Sequence, residues 1–220
     1  MATGRTPGHR PSGSGPRVAL VHDWLTGMRG GERCLEVFCE LFPEADLFTL
    51  LHVPGSVSPA IEARRIVTSF IQRMPDARRR YRHYLPLFPA AIRGLDLSGH
   101  DLVLSSSHAV AKGVRVPPGA LHVCYCFTPM RYVWDLYDEY FGPRAGLATR
   151  LLMPPVAAAL RRWDRRTAAG VHHFVAISRF VADRIRRAYG RQADVIYRPW
   201  MSPASASRSR PATSTSWSPR

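Results

Sequence analysis

Four short stretches of the chain carry residue types that can do chemistry. The first is "HDWLTGMRGGE", from His22 to Glu32. A glycine-rich turn that enters a helix lets backbone N–H groups approach a phosphate, and the helix dipole favours negative charge there. Gly30, Gly31 and Glu32 would form that loop, with His22 and Asp23 beside it. The spacing is G-x-x-G-G. It is neither the G-x-G-x-x-G dinucleotide fingerprint nor a P-loop, which needs a lysine. The same glycines also suit a tight turn with no ligand. The second stretch is "SSSHAVAKG". Ser107 and His108 can hydrogen-bond sugar hydroxyls or phosphate. Lys112 either pairs with an anion or is a solvated helix charge.

The third stretch is "CYCFTPMRYVWDLYDEYF". Rigid aromatics suit stacking on sugar rings, and carboxylates suit hydroxyl recognition. Thr128, Arg131, Tyr132 and Asp135 are the candidates here. Packing at a domain edge would use the same aromatics. The fourth feature is a set of basic clusters, "RRRYR", "RRWDRR" and "RIRR". Arginine interleaved with aromatics can bind an anionic membrane or nucleic acid. No nucleic-acid recognition motif accompanies them. Solvated helix faces account for them equally well.

These residues need elements to hold them. "RVALVHDW" is an unbroken apolar run, as expected for a strand buried on both faces. "GGERCLEVFCELFP" places its apolar residues at helical spacing, and Pro43 stops it. "ADLFTLLHV" reads as a strand. "RRIVTSFIQRMP" predicts a short strand and then a helix. A helix is expected around Arg78–Tyr84, broken at Pro86. "DLVLSSSHAVAKGV" predicts a strand and then a serine-rich turn. "ALHVCYCFTP" is a further strand, and "MRYVWDLYDEYF" a loop with a helical turn. A long helix is expected over 145–168, with Pro154 and Pro155 interrupting it or marking a junction. "GVHHFVAIS" is a strand. Ser178 caps the helix "RFVADRIRRAYG", Gly190 ends it, and "ADVIY" is the last strand. Strand and helix alternate, and the strands lack polar alternation. The expected fold is α/β: one Rossmann-like domain with a mainly parallel sheet, over 17–197. Residues 1–16 and 198–220 are expected to be disordered. In open parallel sheets, ligands bind beyond the carboxyl ends of the strands. That rule selects His22, Asp23 and Gly27–Glu32, then Ser105–His108 with Ser107 and His108 foremost, then Phe127–Arg131 with Thr128 and Arg131 foremost, together with Ser178 and Arg179.

The totals bound the class. The chain has 220 residues, 45% of them hydrophobic, enough to bury a core. Its net charge is +15, and Lys112 is the one lysine among 31 basic residues. Such a balance suits a phosphate, nucleic-acid or membrane partner, or reflects an arginine-rich proteome. The four cysteines fit no common zinc spacing, and no metal site is expected. Cys34 and Cys39 lie in an apolar helical stretch and read as reduced core residues. No run of 18 apolar residues exists and the N-terminus has no signal-peptide core. A cytoplasmic location follows, with peripheral contact to the inner membrane face as an option.

Taken together, "HDWLTGMRGGERCLE", "SSSHAVAKGV", "CYCFTPMRYVWD" and "VAISRFVADRIRRAYGR" resemble the N-terminal half of family 4 glycosyltransferases. More narrowly, they resemble the branch of O-antigen and exopolysaccharide mannosyltransferases. The resemblance spans about Arg17 to Tyr197 in order and spacing. It implies a GT-B architecture, in which two Rossmann-like domains face each other across the active site. It implies a retaining transfer from a nucleotide-sugar co-substrate, with no other cofactor and no obligatory metal. The acceptor would be a glycan or a lipid-linked glycan. Gly30 and Gly31 resemble the family's loop near the donor phosphates. The family's active-site histidine follows the strand that here ends at Cys126, but this chain has Phe127 there. His22, His108 or a backbone carbonyl would have to stand in, or this branch does without. No catalytic base is named.

The family's last strand runs into Pro-Pro-Val-Asp and a second, donor-binding domain. Here it runs into Arg198, Pro199 and Trp200. Reading Arg198–Ser202 one base out of frame can give Pro-Pro-(Val/Leu/Met)-Asp-Val. Residues 213–218, treated likewise, give a buried-strand pattern. The expectation is a one-base loss near codon 198, and no or negligible turnover by this chain. Two rivals stand beside it: a binding module without catalysis, and a basic nucleic-acid-binding protein.

Overall fold

The computed structural model describes residues 15–134 and 147–197. The expectations for the two tails, and for Asp135, lie outside the described residues. Seven strands form a single sheet: β1 Val18–His22, β2 Asp46–Thr49, β3 Ile66–Thr68, β4 Leu102–Ser107, β5 Leu121–Cys126, β6 His173–Ala176 and β7 Asp194–Val195. Every pairing is parallel, and the order is β3-β2-β1-β4-β5-β6-β7. The helices are α1 Gly30–Leu41, α2 Pro59–Glu62, α3 Ala77–Arg80, α4 Phe88–Arg93, α5 Arg131–Trp134, α6 Leu147–Ala168 and α7 Arg179–Tyr189. This is the expected Rossmann-like α/β domain, with a sheet that is wholly parallel.

The absence of polar alternation in β1 has a direct structural cause. Side chains alternate across a strand. Ala19 and Val21 therefore join one core, with Phe48, Phe88, Ile92, Val103 and Leu160. Val18 and Leu20 join a second core on the other face, with Leu35, Cys39, Leu47 and Ile61. Both faces of the strand are covered, so both must be apolar. The four cysteines are buried and form no disulfide, as expected for Cys34 and Cys39. Burial pushes the Cys39 thiol up to about 11. Ser178 caps α7 by accepting from the Val181 N–H at 3.3 Å, and Gly190 ends it in the left-handed region at φ 67°.

Four expectations change. The serines of "SSSHAV" are not a turn. Ser105, Ser106 and Ser107 lie inside β4 and are buried. Ser105 and Ser106 are tolerated because they find partners: Ser105 Oγ lies 2.8 Å from His122 Nε2, and Ser106 Oγ 2.7 Å from His22 Nδ1. The helix expected over Arg78–Tyr84 stops at Arg80 and tightens into 3₁₀ turns over Tyr81–Leu87. Pro86 sits inside those turns, because a proline cannot donate the i→i−4 bond an α-helix needs. Pro154 and Pro155 do not interrupt α6, which runs through them. Two missing rungs are offset downstream, where Ala157 and Leu160 are buried.

Lys112 is neither a solvated charge nor a ligand group. It is 2% exposed, and its Nζ lies 2.7 Å from Asp164 Oδ1. The same ammonium donates to the Asp164 carbonyl at 2.8 Å and to Thr167 Oγ1 at 3.0 Å. The other Asp164 oxygen accepts from Trp134 Nε1–H and from the Tyr189 hydroxyl, each at 2.8 Å. A buried charge persists only when paired and hydrogen-bonded, and this one is both. The pair locks the turn after β4, α5, α6 and α7 together. Gly113, beside it, allows the close approach: a Cβ there would lie 2.4 Å from the Trp163 ring. No helix among the described residues is long and apolar enough to cross a membrane.

Candidate functional site

The strand order reverses at β1. The chain leaves β1 toward β2 and β3, then returns to place β4 on the other side of β1. Loops diverge above such a switch point and leave a crevice at the carboxyl ends of the strands. A cleft of about 470 Å³ lies there. Gly30, Gly31 and Glu32 of α1, His108 after β4, Phe127 after β5, and Arg131 and Tyr132 of α5 line it. Trp24, Arg29, Arg82 and Ile177 complete the lining.

The α1 N-terminus lies in this lining, with Gly30 and Gly31, and the first N–H groups of a helix have no intrahelical acceptor. Gly27, in the loop before it, takes φ 147°, which side-chain-bearing residues avoid. Gly31 lets the helix sit close to the sheet: a Cβ there would lie 3.4 Å from both His22 and Phe127. Glu32 closes the first turn by accepting from the Arg29 N–H at 3.0 Å. Burial would raise the Glu32 carboxyl, but His22 and the backbone donors outweigh it and hold it below the usual range. The helix N-terminus, Arg29, Arg82 and Arg131 therefore surround the cleft with donors and positive charge, a setting that favours an anion.

Beneath the cleft lies a second layer, which is closed to ligand. Asp23 is 0% exposed. Its Oδ2 accepts from the His108 N–H at 2.7 Å and the Ala109 N–H at 3.0 Å. Its Oδ1 accepts from the Val110 and Ala111 N–H groups, both at 2.7 Å. The His108 Nδ1 lies 3.0 Å from the same Oδ2. Burial alone would raise this carboxyl. His108, through charge and hydrogen bonds, with a smaller contribution from His22, drives it far below the usual range. His22 is also 0% exposed, with its Nε2 3.9 Å from Glu32 Oε1, beyond hydrogen-bond reach.

Of the residues selected from the sequence, Arg29, Gly30, Gly31, Glu32, His108, Phe127, Arg131 and Tyr132 line the cleft. His22, Asp23, Ser107 and Thr128 are buried and are not part of that lining. The Thr128 hydroxyl donates to the Pro129 carbonyl at 3.0 Å. Ser178 is spent as the α7 cap, and Arg179 is exposed outside the lining. Sequence reasoning did not place Trp24, Arg82 and Ile177 at the cleft. Arg29 had a local signal, as the residue preceding the two glycines. Arg82 was read only within the basic cluster "RRRYR", and tertiary folding brings its 3₁₀ segment to the cleft.

A larger groove, of about 750 Å³, lies at the opposite pole, near the amino ends of β5 and β6. Arg93, Arg115 and Arg166 line it. None of the residues lining it begins a helix, and the switch point lies at the carboxyl ends of the strands, so the smaller cleft is the candidate site. Among the described residues, no three His, Cys, Asp or Glu side chains gather as a metal site would require. No protein-family model matches this chain, and no curated protein matches it.

Proposed function

We propose that this domain forms one wall of a GT-B glycosyltransferase site, of the family 4 type that its motifs resemble. The observation that carries the proposal is the position of the Gly30–Gly31 helix start. It opens at the switch-point cleft, between Arg29, Arg82 and Arg131, where a diphosphate would meet amides and guanidinium groups together. On this reading the donor is a nucleotide-sugar, mannose among the candidate sugars. The acceptor is a glycan or lipid-linked glycan at the cytoplasmic face of a membrane. The exposed arginines of α3 and the net charge of +15 suit such an anionic surface. A GT-B site closes between two Rossmann-like domains. Transfer therefore needs a second wall opposite Arg29, His108 and Arg131, because preorganised donors act only in a cleft closed to water.

The test is titration of the 220-residue chain with inorganic pyrophosphate, GDP-mannose and UDP-glucose, followed by amide NMR. Weak binding is expected, with shifts concentrated at Gly30, Gly31 and Arg131. Arg131→Ala is expected to weaken pyrophosphate binding severalfold. Shifts confined to the opposite groove, or no binding of any of the three, would overturn the proposal.

A further inference from the structure

We infer that His108 is the hydroxyl-accepting residue of the cleft, held by Asp23 in the tautomer whose Nε2 lone pair faces the ligand. The inference rests on the switch-point cleft being the ligand site.

Three observations converge on it. The first is orientation. Nδ1 of His108 lies 3.0 Å from a carboxylate that is completely buried, so the Nδ1 edge of the ring faces inward. The side chain is nevertheless 28% exposed and lines the cleft. Its exposed edge is therefore the opposite one, which carries Nε2. In the neutral imidazole, a carboxylate acceptor keeps the proton on Nδ1 and leaves Nε2 as an acceptor. The second observation is rigidity. Asp23 cannot swing away, because four backbone N–H groups hold it from the turn that carries His108 itself. The edge of Trp24 meets the His108 ring at 4.5 Å between centroids. The ring is fixed before any ligand arrives, as a positioned hydrogen-bonding group requires.

The third observation is chemical contrast. The amides and arginines of the cleft are all donors, suited to phosphate oxygens. A ligand that also carries hydroxyl groups needs an acceptor. Phe127, between the anion-binding loop and α5, has none to offer. His22 is sealed beneath Gly31. The Glu32 oxygens face the Arg29 N–H and His22. His108 is the remaining imidazole of the lining, and it stands 6.4 Å from the Phe127 ring, centroid to centroid. The ligand class is thus a phosphate ester that bears a free hydroxyl, rather than a bare phosphate.

Mannose 1-phosphate and methyl phosphate test this on the 220-residue chain, since they share the anion and differ in hydroxyls. The wild-type chain is expected to bind mannose 1-phosphate about fivefold more tightly, the worth of one net hydrogen bond. His108→Ala is expected to erase that ratio and leave methyl phosphate binding unchanged. His108→Gln, which retains an acceptor oxygen, is expected to restore part of it. Both variants keep the backbone N–H that Asp23 holds. Equal binding of the two probes by the wild-type chain, or an equal loss of both in His108→Ala, overturns the inference and spares the anion cleft. Binding of neither probe overturns the cleft reading and the inference with it. Nitrogen-15 NMR of the free chain at alkaline pH gives a ligand-free check. The proton is expected on Nδ1, and a proton on Nε2 would refute the assignment.

Discussion

Asp23→Ala is the substitution whose consequences follow most directly from the geometry. The carboxylate takes four backbone N–H groups at 2.7 to 3.0 Å and faces the imidazole of His108. Removing it strands those donors where three of the four residues, Ala109, Val110 and Ala111, are buried. Each hydrogen bond to a charged group is worth about 1.5–3 kcal/mol net. The four share one carboxylate and are not additive, so their sum overstates the loss. Breaking one partner out of a buried charge cluster costs about 3–5 kcal/mol, and that is the expected destabilisation. For a domain of this size it lowers Tm by roughly 6–20 °C, at about 2–4 °C per kcal/mol. Asp23→Asn keeps one acceptor oxygen but points a new donor at two N–H groups, so it is expected to lose at least about 2 kcal/mol.

Urea unfolding, followed by tryptophan fluorescence, measures this directly. The effect also carries a pH signature. The Asp23 carboxyl titrates far below the usual range when folded and near the ordinary value of about 3.9 when unfolded. Its contribution is complete above that unfolded value and is lost as pH falls below it. The stability gap between wild type and Asp23→Ala is therefore expected to shrink in strong acid. A loss under about 1 kcal/mol at neutral pH, or a gap that widens below pH 4, would refute the reasoning.

Two further outcomes follow from buried groups. Burial pulls His122 down to about 4, so the folded state holds it neutral while the unfolded chain titrates near 6.5. Stability should fall as pH drops through that window, by about 3 kcal/mol in all, and His122→Gln should flatten the slope of urea midpoint against pH. Lys112→Met leaves Asp164 charged and buried, and is expected to cost about 3–5 kcal/mol by the same denaturation assay. Lys112→Met with Asp164→Leu removes both charges and is expected to recover part of the loss, the remainder reporting the Trp134 and Tyr189 bonds to Asp164; a double variant no more stable than Lys112→Met would refute this.

Much of the architecture could be read locally. The alternation of strand and helix, the cap at Ser178, the stop at Gly190 and the helix beginning at Gly30 each depend on side-chain periodicity or dihedral preference within a dozen residues. The apolar run of β1 announced a strand covered on both faces. Those signals were enough for a parallel α/β domain, and for placing the glycines where a helix N-terminus meets the strand ends.

Accessibility was decided elsewhere. Asp23 and His108 both follow strands and carry equal weight in the sequence, yet one is sealed and the other opens on the cleft. The difference arises because β4 lies beside β1, bringing a turn 85 residues away onto the Asp23 carboxylate. Lys112 looked like a surface charge until α6 delivered Asp164, 52 residues on, to its ammonium. Arg82 reached the cleft from a segment with no strand-end signal at all. Period and propensity are properties of neighbouring residues, so the sequence alone determined the elements and their buried faces. Desolvation and charge pairing depend on which elements meet. Only the tertiary structure decided which polar residues became supports and which became the site.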